Sequence, residues 1–151
     1  MTYEELLSVA EEVHLIVKEK DLQAYDGRIK GRRVAIRKSI PAQNMKACVL
    51  AEELGHYYTS TGNILDDSVN ARKQERHARA WAFDQQIGLS GLIRANTAGC
   101  RTSHEAAEYL DVPESFLRDC ISCYKEKYGP YIKYQDYLIH FDPFMKIEEL
   151  K

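Results

Sequence analysis

At 151 residues the chain has the length of one domain able to bury a core without disulfide staples. It is 44% hydrophobic and 29% charged with a net charge of −2, so neither sign dominates, and the whole-chain balance argues against direct nucleic-acid or membrane binding. No apolar run reaches bilayer-spanning length, and MTYEELLSVAEE lacks the basic-then-apolar order of a signal peptide. The four cysteines, Cys48, Cys100, Cys120 and Cys123, sit in helix-like apolar patterns, so a cytoplasmic protein with reduced thiols is expected.

Residues 2–10 predict a helix, with Thr2 and Glu5 at capping-box spacing. HLIVKEKDL is short and rich in branched residues, which predicts a strand. In AYDGRIKGRRVAIRKSIPAQ, Asp26-Gly27 and Lys30-Gly31 supply turn chemistry around short strands. Val34 and Ile36 alternate with Ala35 and Arg37, so one face of RVAIRKSI is buried and the other wet. The basic residues Lys30–Arg33, Arg37 and Lys38 read as the wet side of an edge strand. Residues 42–59 are helical by period. STGNILDD breaks that helix, and Asp66, Asp67 or Ser68 is placed to cap the next, over about 69–87. Gly88, Gly91 and Gly99 predict a looser connection. SHEAAEYLDVPESFLRDCISCYKEKYG predicts two helices with a turn at Asp111–Pro113, and YIKYQDYLIHFDPF a β-hairpin.

The chemistry concentrates in CVLAEELGHYYTSTG, residues 48–62. With Glu52 set at zero on a helical wheel, His56 lies at roughly 40° and Glu53 at roughly 100°, on the face that upstream carries Met45, Cys48 and Val49. Two adjacent acids in an apolar ridge are costly unless paired or bound to a cation, and each raises the other's pKa. Gly55 costs about 1 kcal/mol relative to alanine in a helix, and its bare backbone would allow a close approach. An isolated E-E-x-x-H also fits an ordinary solvated helix face. The following helix adds to the pattern: Ala71, Glu75, Ala78 and Ala82 fall within about 60° of one another, a ridge of small residues with one carboxylate in it. His77 lies roughly 200° from Glu75 and reads as a solvated histidine. Zinc peptidases take two ligands at i and i+4 of one helix and a third from a following helix, with a glutamate between as general base. Here Glu52, His56 and Glu75 can serve as ligands and Glu53 as base.

AEELGHYY followed by ERHARAWA resembles the ImmA/IrrE group of metallopeptidases, whose usual core is H-E-L-G-H and then E-x-x-A-N-x-F-A. The likeness runs from DGRIKGRRVAI through both helices, about half the chain, and the tail looks like the extension of phage-type members. It implies that His56 and Glu75 bind zinc and that Glu53 is the base. Glu52 stands in the place of the first histidine, Arg79 in that of Asn and Trp81 in that of Phe. One histidine and two carboxylates leave a zinc site neutral where two histidines and one carboxylate leave it at +1; the harder donor set also admits Mn2+ or Fe2+. The expected fold is α+β within one domain, 1–151: a zincin-like core (1–95) of a small antiparallel sheet and two site-bearing helices, a helical hairpin (96–129) and a C-terminal β-hairpin (130–151). The expected function is metal-dependent endopeptidase, and the resemblance implies a helix-turn-helix repressor of a phage or mobile element as substrate. An edge strand near the site, VAIRKSI, is expected to align it by strand addition.

Three other readings fit parts of the sequence. The first is a degenerate zincin-like protein that binds a repressor without cutting it. The second is a helix-turn-helix in HEAAEYLDVPESFLRDC, whose recognition face would carry Glu114, Ser115, Arg118 and Asp119, a poor phosphate surface. The third is a second zinc site from Cys100, His104, Cys120 and Cys123, set against an apolar stripe of Phe116, Leu117, Cys120 and Tyr124.

Overall fold

The computed structural model describes residues 1–60, 68–144 and 146–150, without the side chains of residues 68 and 69. The chain is α+β and divides into two compact units, Met1–Gln85 and Gln86–Lys151. That boundary falls earlier than the end of the core expected at 95. Among the described residues no helix is long and apolar enough to cross a membrane.

The first unit begins with α1 (Tyr3–Glu12). Its capping box is complete: the Thr2 hydroxyl accepts from the Glu5 amide at 3.1 Å, and the Thr2 amide donates to the Glu5 carboxylate at 2.9 Å. Leu6 and Ala10 are buried, and α1 packs on α2 (Gln43–Thr59). The sheet is formed by β1 (Ile16–Lys20), β2 (Gly27–Lys30) and β3 (Arg33–Arg37) in the order β1-β3-β2. β2 and β3 are an antiparallel hairpin through Gly31 (φ 61°), the positive φ that a two-residue hairpin loop demands. β1 runs parallel to β3, so the sheet is mixed.

Two expectations about this sheet are corrected. RVAIRKSI contains β3, the central strand with both edges paired, so it is neither an edge nor free to receive a substrate strand. Of the basic residues read as an edge, Arg33 and Arg37 therefore stand on the central strand, while Lys30 does lie on the edge strand β2. Asp26-Gly27 leads into β2, which Gly27 opens.

The inner face of the sheet carries Val34 and Ile36, both buried, against α2. Cross-strand register puts Glu19 beside Ile36 on that face, where it pairs at 2.8 Å with Lys46 of α2, itself only 8% exposed. The Tyr3 hydroxyl donates to Glu19 at 3.3 Å, so one acid joins α1, β1 and α2. α3 (Ser68–Gln86) follows, as expected by period. The helix break in STGNILDD and the cap from Asp66, Asp67 or Ser68 lie outside the described residues and side chains.

In the second unit, the connection expected to be loose is α4 (Gly88–Thr97), with Leu92, Ile93 and Ala95 buried. An added Cβ at Gly91 would make only ordinary contacts, 3.5 Å from Ile87 and Leu110, so the packing there does not require glycine. The helix stops at Gly99 (φ 94°). α5 (Ser103–Leu110) carries a second capping box, Thr102 with Glu105, and ends on left-handed Asp111. α6 (Glu114–Tyr128) buries the stripe Phe116, Leu117, Cys120 and Tyr124. The C-terminal hairpin, β4 (Tyr131–Tyr134) and β5 (Tyr137–His140), gains a third antiparallel strand, β6 (Lys146–Glu149), in which Ile147 pairs with Ile139. Phe141 packs against Tyr124 and Tyr128, with ring centroids 6.0 and 6.2 Å away, and anchors this sheet to α6.

Candidate functional site

α2 and α3 meet where neither has bulk. A Cβ at Gly55 would strike the carbonyl oxygen of Ala78 and stand 2.9 Å from its carbon. The glycine thus accepts its helix-propensity cost because the helices cannot cross this closely over any side chain. Ala78 and Ala82 are buried at this seam, as the small-residue ridge predicts. Trp81 stacks on Tyr58, centroids 5.0 Å apart and planes 18° from parallel, and holds the same two helices together. Tyr57 meets Tyr58 edge-on at 5.2 Å.

That crossing brings the predicted residues together. His56 Nε2 lies 3.0 Å from Glu75 Oε2, and the Glu52 carboxyl hydrogen-bonds to Glu75. Glu53, one residue on, faces the sheet and is only 9% exposed. His77 is exposed, away from the cluster, as its wheel position predicts.

Two residues complete the site that sequence reasoning gave no role. The first is Arg79, whose Nε stands 3.8 Å from Glu52 Oε1 while its guanidinium lies 5.3 Å from the centroid of the Phe83 ring. Its signal was available: Arg79 is four residues beyond Glu75 and shares its face. The second is Gly27. A Cβ there would sit 2.6 Å from Val49 Cγ1 and 3.1 Å from Glu53 Cγ, so β2 can cover Glu53 only because residue 27 lacks a side chain. Read with Asp26, that glycine looks like a turn, which hides its purpose.

The acids are strongly perturbed. Burial, reinforced by the hydrogen bond with Glu75, pushes the Glu52 carboxyl up to about 8 against the partial opposition of Arg79. Burial, with the charge of Glu75 added, pushes Glu53 up to about 7. Glu53 is therefore divided between acid and carboxylate near neutrality, the condition for a group that both takes and gives a proton.

The donor set fits a divalent cation in kind. It combines one imidazole nitrogen with two carboxylates from two helices, and a metal charge would relieve the ionisation cost that drives both carboxyls upward. The arrangement is not a closed ligand cage: among the described residues, no group of three or more His, Cys, Asp or Glu stands ready to hold an ion. Glu52, His56 and Glu75 are joined through Glu75 as a chain, with Arg79 against one end. Among the described residues no disulfide joins Cys100, Cys120 or Cys123, and the Cys100 Sγ donates to the Glu105 carbonyl at 3.6 Å. On the expected recognition face of α6, Arg118 is ion-paired with Glu114. Comparison of the chain with protein-family models, with curated proteins and with solved structures gives no match.

Proposed function

We propose that this chain is a divalent-cation-dependent endopeptidase of the ImmA/IrrE type, acting on a helix-turn-helix repressor protein. The observation that carries the reading is the convergence of Glu52, His56 and Glu75 at the Gly55–Ala78 crossing, with half-ionised Glu53 alongside. The motif resemblance gives the substrate class; the geometry supports the chemistry. His56, Glu52 and Glu75 would hold zinc, or manganese or iron in its place. The bound ion would polarise a scissile carbonyl and acidify a water. Glu53 would take a proton from the attacking water as its oxygen adds to the carbonyl carbon, and would deliver it to the amine nitrogen as the C–N bond breaks. β2, held over Glu53 by Gly27, keeps bulk water from one side of the carboxyl.

One observation favours a second reading. Arg79 already places a cation beside Glu52, as it would in a site that has exchanged metal for an internal guanidinium and binds its partner without cutting it. Co-expression with a candidate repressor separates the two. A peptidase cleaves it, and Glu53→Gln abolishes cleavage while metal content stays at the wild-type level. A sequestering protein leaves the repressor intact and still relieves repression with Glu53→Gln.

A further inference from the structure

The outer face of the first sheet carries an unmatched charge. Strand alternation turns Val34 and Ile36 inward, so Arg33 and Ala35 face out, and register sets Lys18 and Arg28 on either side of Ala35. Lys30 lies beside Arg33, and Lys20 one step along β1. These five cations line a shallow cleft of about 400 Å³ that contains no acid. Among the described residues none of the five is in an ion pair; of the acids interleaved with them in sequence, Asp26 is engaged with Arg37 at 3.3 Å and Glu19 with Lys46 at 2.8 Å. Residues 18–38 hold eight Lys or Arg and three Asp or Glu in a chain of net charge −2, so the whole-chain balance conceals a local excess. At the rim, Tyr25 is 55% exposed, with the Arg28 guanidinium 5.7 Å from its ring centroid.

We propose that this face is a docking surface for the backbone of a single-stranded nucleic acid, with Tyr25 as a stacking platform for a base. The proposal is independent of the peptidase reading. It replaces the expectation of no direct nucleic-acid contact, which rested on total charge.

Three features select this occupant. Cations two residues apart on one strand are about 6.6–6.8 Å apart, and neighbouring strands add rows at about 4.8 Å, an array suited to a repeating anion rather than a single one. Arginine forks suit phosphate oxygens, and an exposed aromatic beside them is the pairing that single-strand readers use. An acidic peptide would gain little here, because the backbone groups of a sheet face are spent in the ladder and strand addition needs an edge. A membrane surface would ask for protruding apolar side chains, of which the cleft offers Ile16.

The test is fluorescence anisotropy of a labelled fifteen-residue oligothymidylate with the full chain in 50 mM salt. Saturable binding is expected, weakening with salt at a log–log slope of roughly −3 if all five cations engage. Lys18→Gln/Lys30→Gln/Arg33→Gln should weaken binding at least tenfold and flatten the slope by roughly 2. Tyr25→Ala should weaken it severalfold with little change of slope. Lys127→Gln/Lys133→Gln/Lys146→Gln, with the same change in net charge on the second unit, should bind as wild type. Circular dichroism on each variant confirms that the fold is retained. The proposal is overturned by absence of binding, by indifference to the first triple substitution, by equal loss in the second, by duplex binding more tightly than the single strand, or by polyglutamate or anionic vesicles competing as well as the oligonucleotide.

Discussion

Replacing Glu53 with glutamine should stabilise the metal-free protein at neutral and alkaline pH. The folded-state pKa of Glu53 is raised from 4.5 to about 7, chiefly by burial. A carboxyl raised in this way contributes its full stability below the unfolded value and loses it as pH rises through the folded one. At about 1.4 kcal/mol per pH unit, the penalty grows to roughly 3 kcal/mol once the group is ionised in both states, and stands below about 1 kcal/mol at pH 5. Glu53 is 9% exposed, so solvent screening removes little of this. Glutamine keeps the shape and cannot ionise. Its advantage over the wild type should therefore be about 2–3 kcal/mol at pH 8 and largely absent at pH 5. The natural assay is urea unfolding in chelator, followed by tryptophan fluorescence. Trp81 is the single tryptophan of the chain and stacks at the site, so the signal reports the first unit. Glu52, raised to about 8, still titrates in the variant, so a decline in stability should persist from about pH 4.5 and level off above pH 8. Equal stability of the two proteins at pH 8, or a less stable variant, would refute the claim that Glu53 is held in a desolvated place.

Further expectations concern the packing that builds the site. Gly55→Ala should destabilise the first unit by about 1–3 kcal/mol, because the collision with the Ala78 carbonyl outweighs alanine's helix preference; the same fluorescence titration reads it. Gly27→Ala should cost a similar 1–3 kcal/mol and depress any cleavage activity, since the added methyl meets Val49 and Glu53; unchanged stability and turnover would show that β2 has room to move. Glu19→Ala should cost about 1–2 kcal/mol by leaving Lys46 buried without its partner. The Lys46 hydrogen bond holds the Glu19 carboxyl below its ordinary range, so this contribution should be present above about pH 4.5 and fade as the solution is acidified.

How much of this was legible depended on whether the signal was local. The capping box of α1, the periods of α2 and α3 and the small-residue ridge are properties of neighbours three and four residues apart, and the last two led to Gly55, Ala78 and the convergence of Glu52, His56 and Glu75. The pairing of β1 with β3 is set across the intervening hairpin, so no local pattern marks β3 as central, and its alternation fits an edge equally well. α4 was hidden because Gly88 and Gly91 depress helix propensity, while burial of Leu92, Ile93 and Ala95 restores the helix from outside the segment. Gly27 misled for a similar reason: beside Asp26 it reads as a turn, and only the tertiary position of Glu53 shows that its purpose is close approach. The basic face was visible as a charge run, but its meaning depended on three strands presenting their cations on one side.

The central claim is that the four acidic and imidazole side chains at the helix crossing exist to hold a metal ion and move a proton. Elemental analysis of the purified protein, beside Glu52→Ala and Glu75→Ala, tests it most directly. The account predicts near-stoichiometric zinc, manganese or iron in the wild type and a marked fall in both variants, with both variants folded. A wild-type protein that stays metal-free after incubation with each ion would contradict it, and would leave Arg79 as the cation around which this site is built.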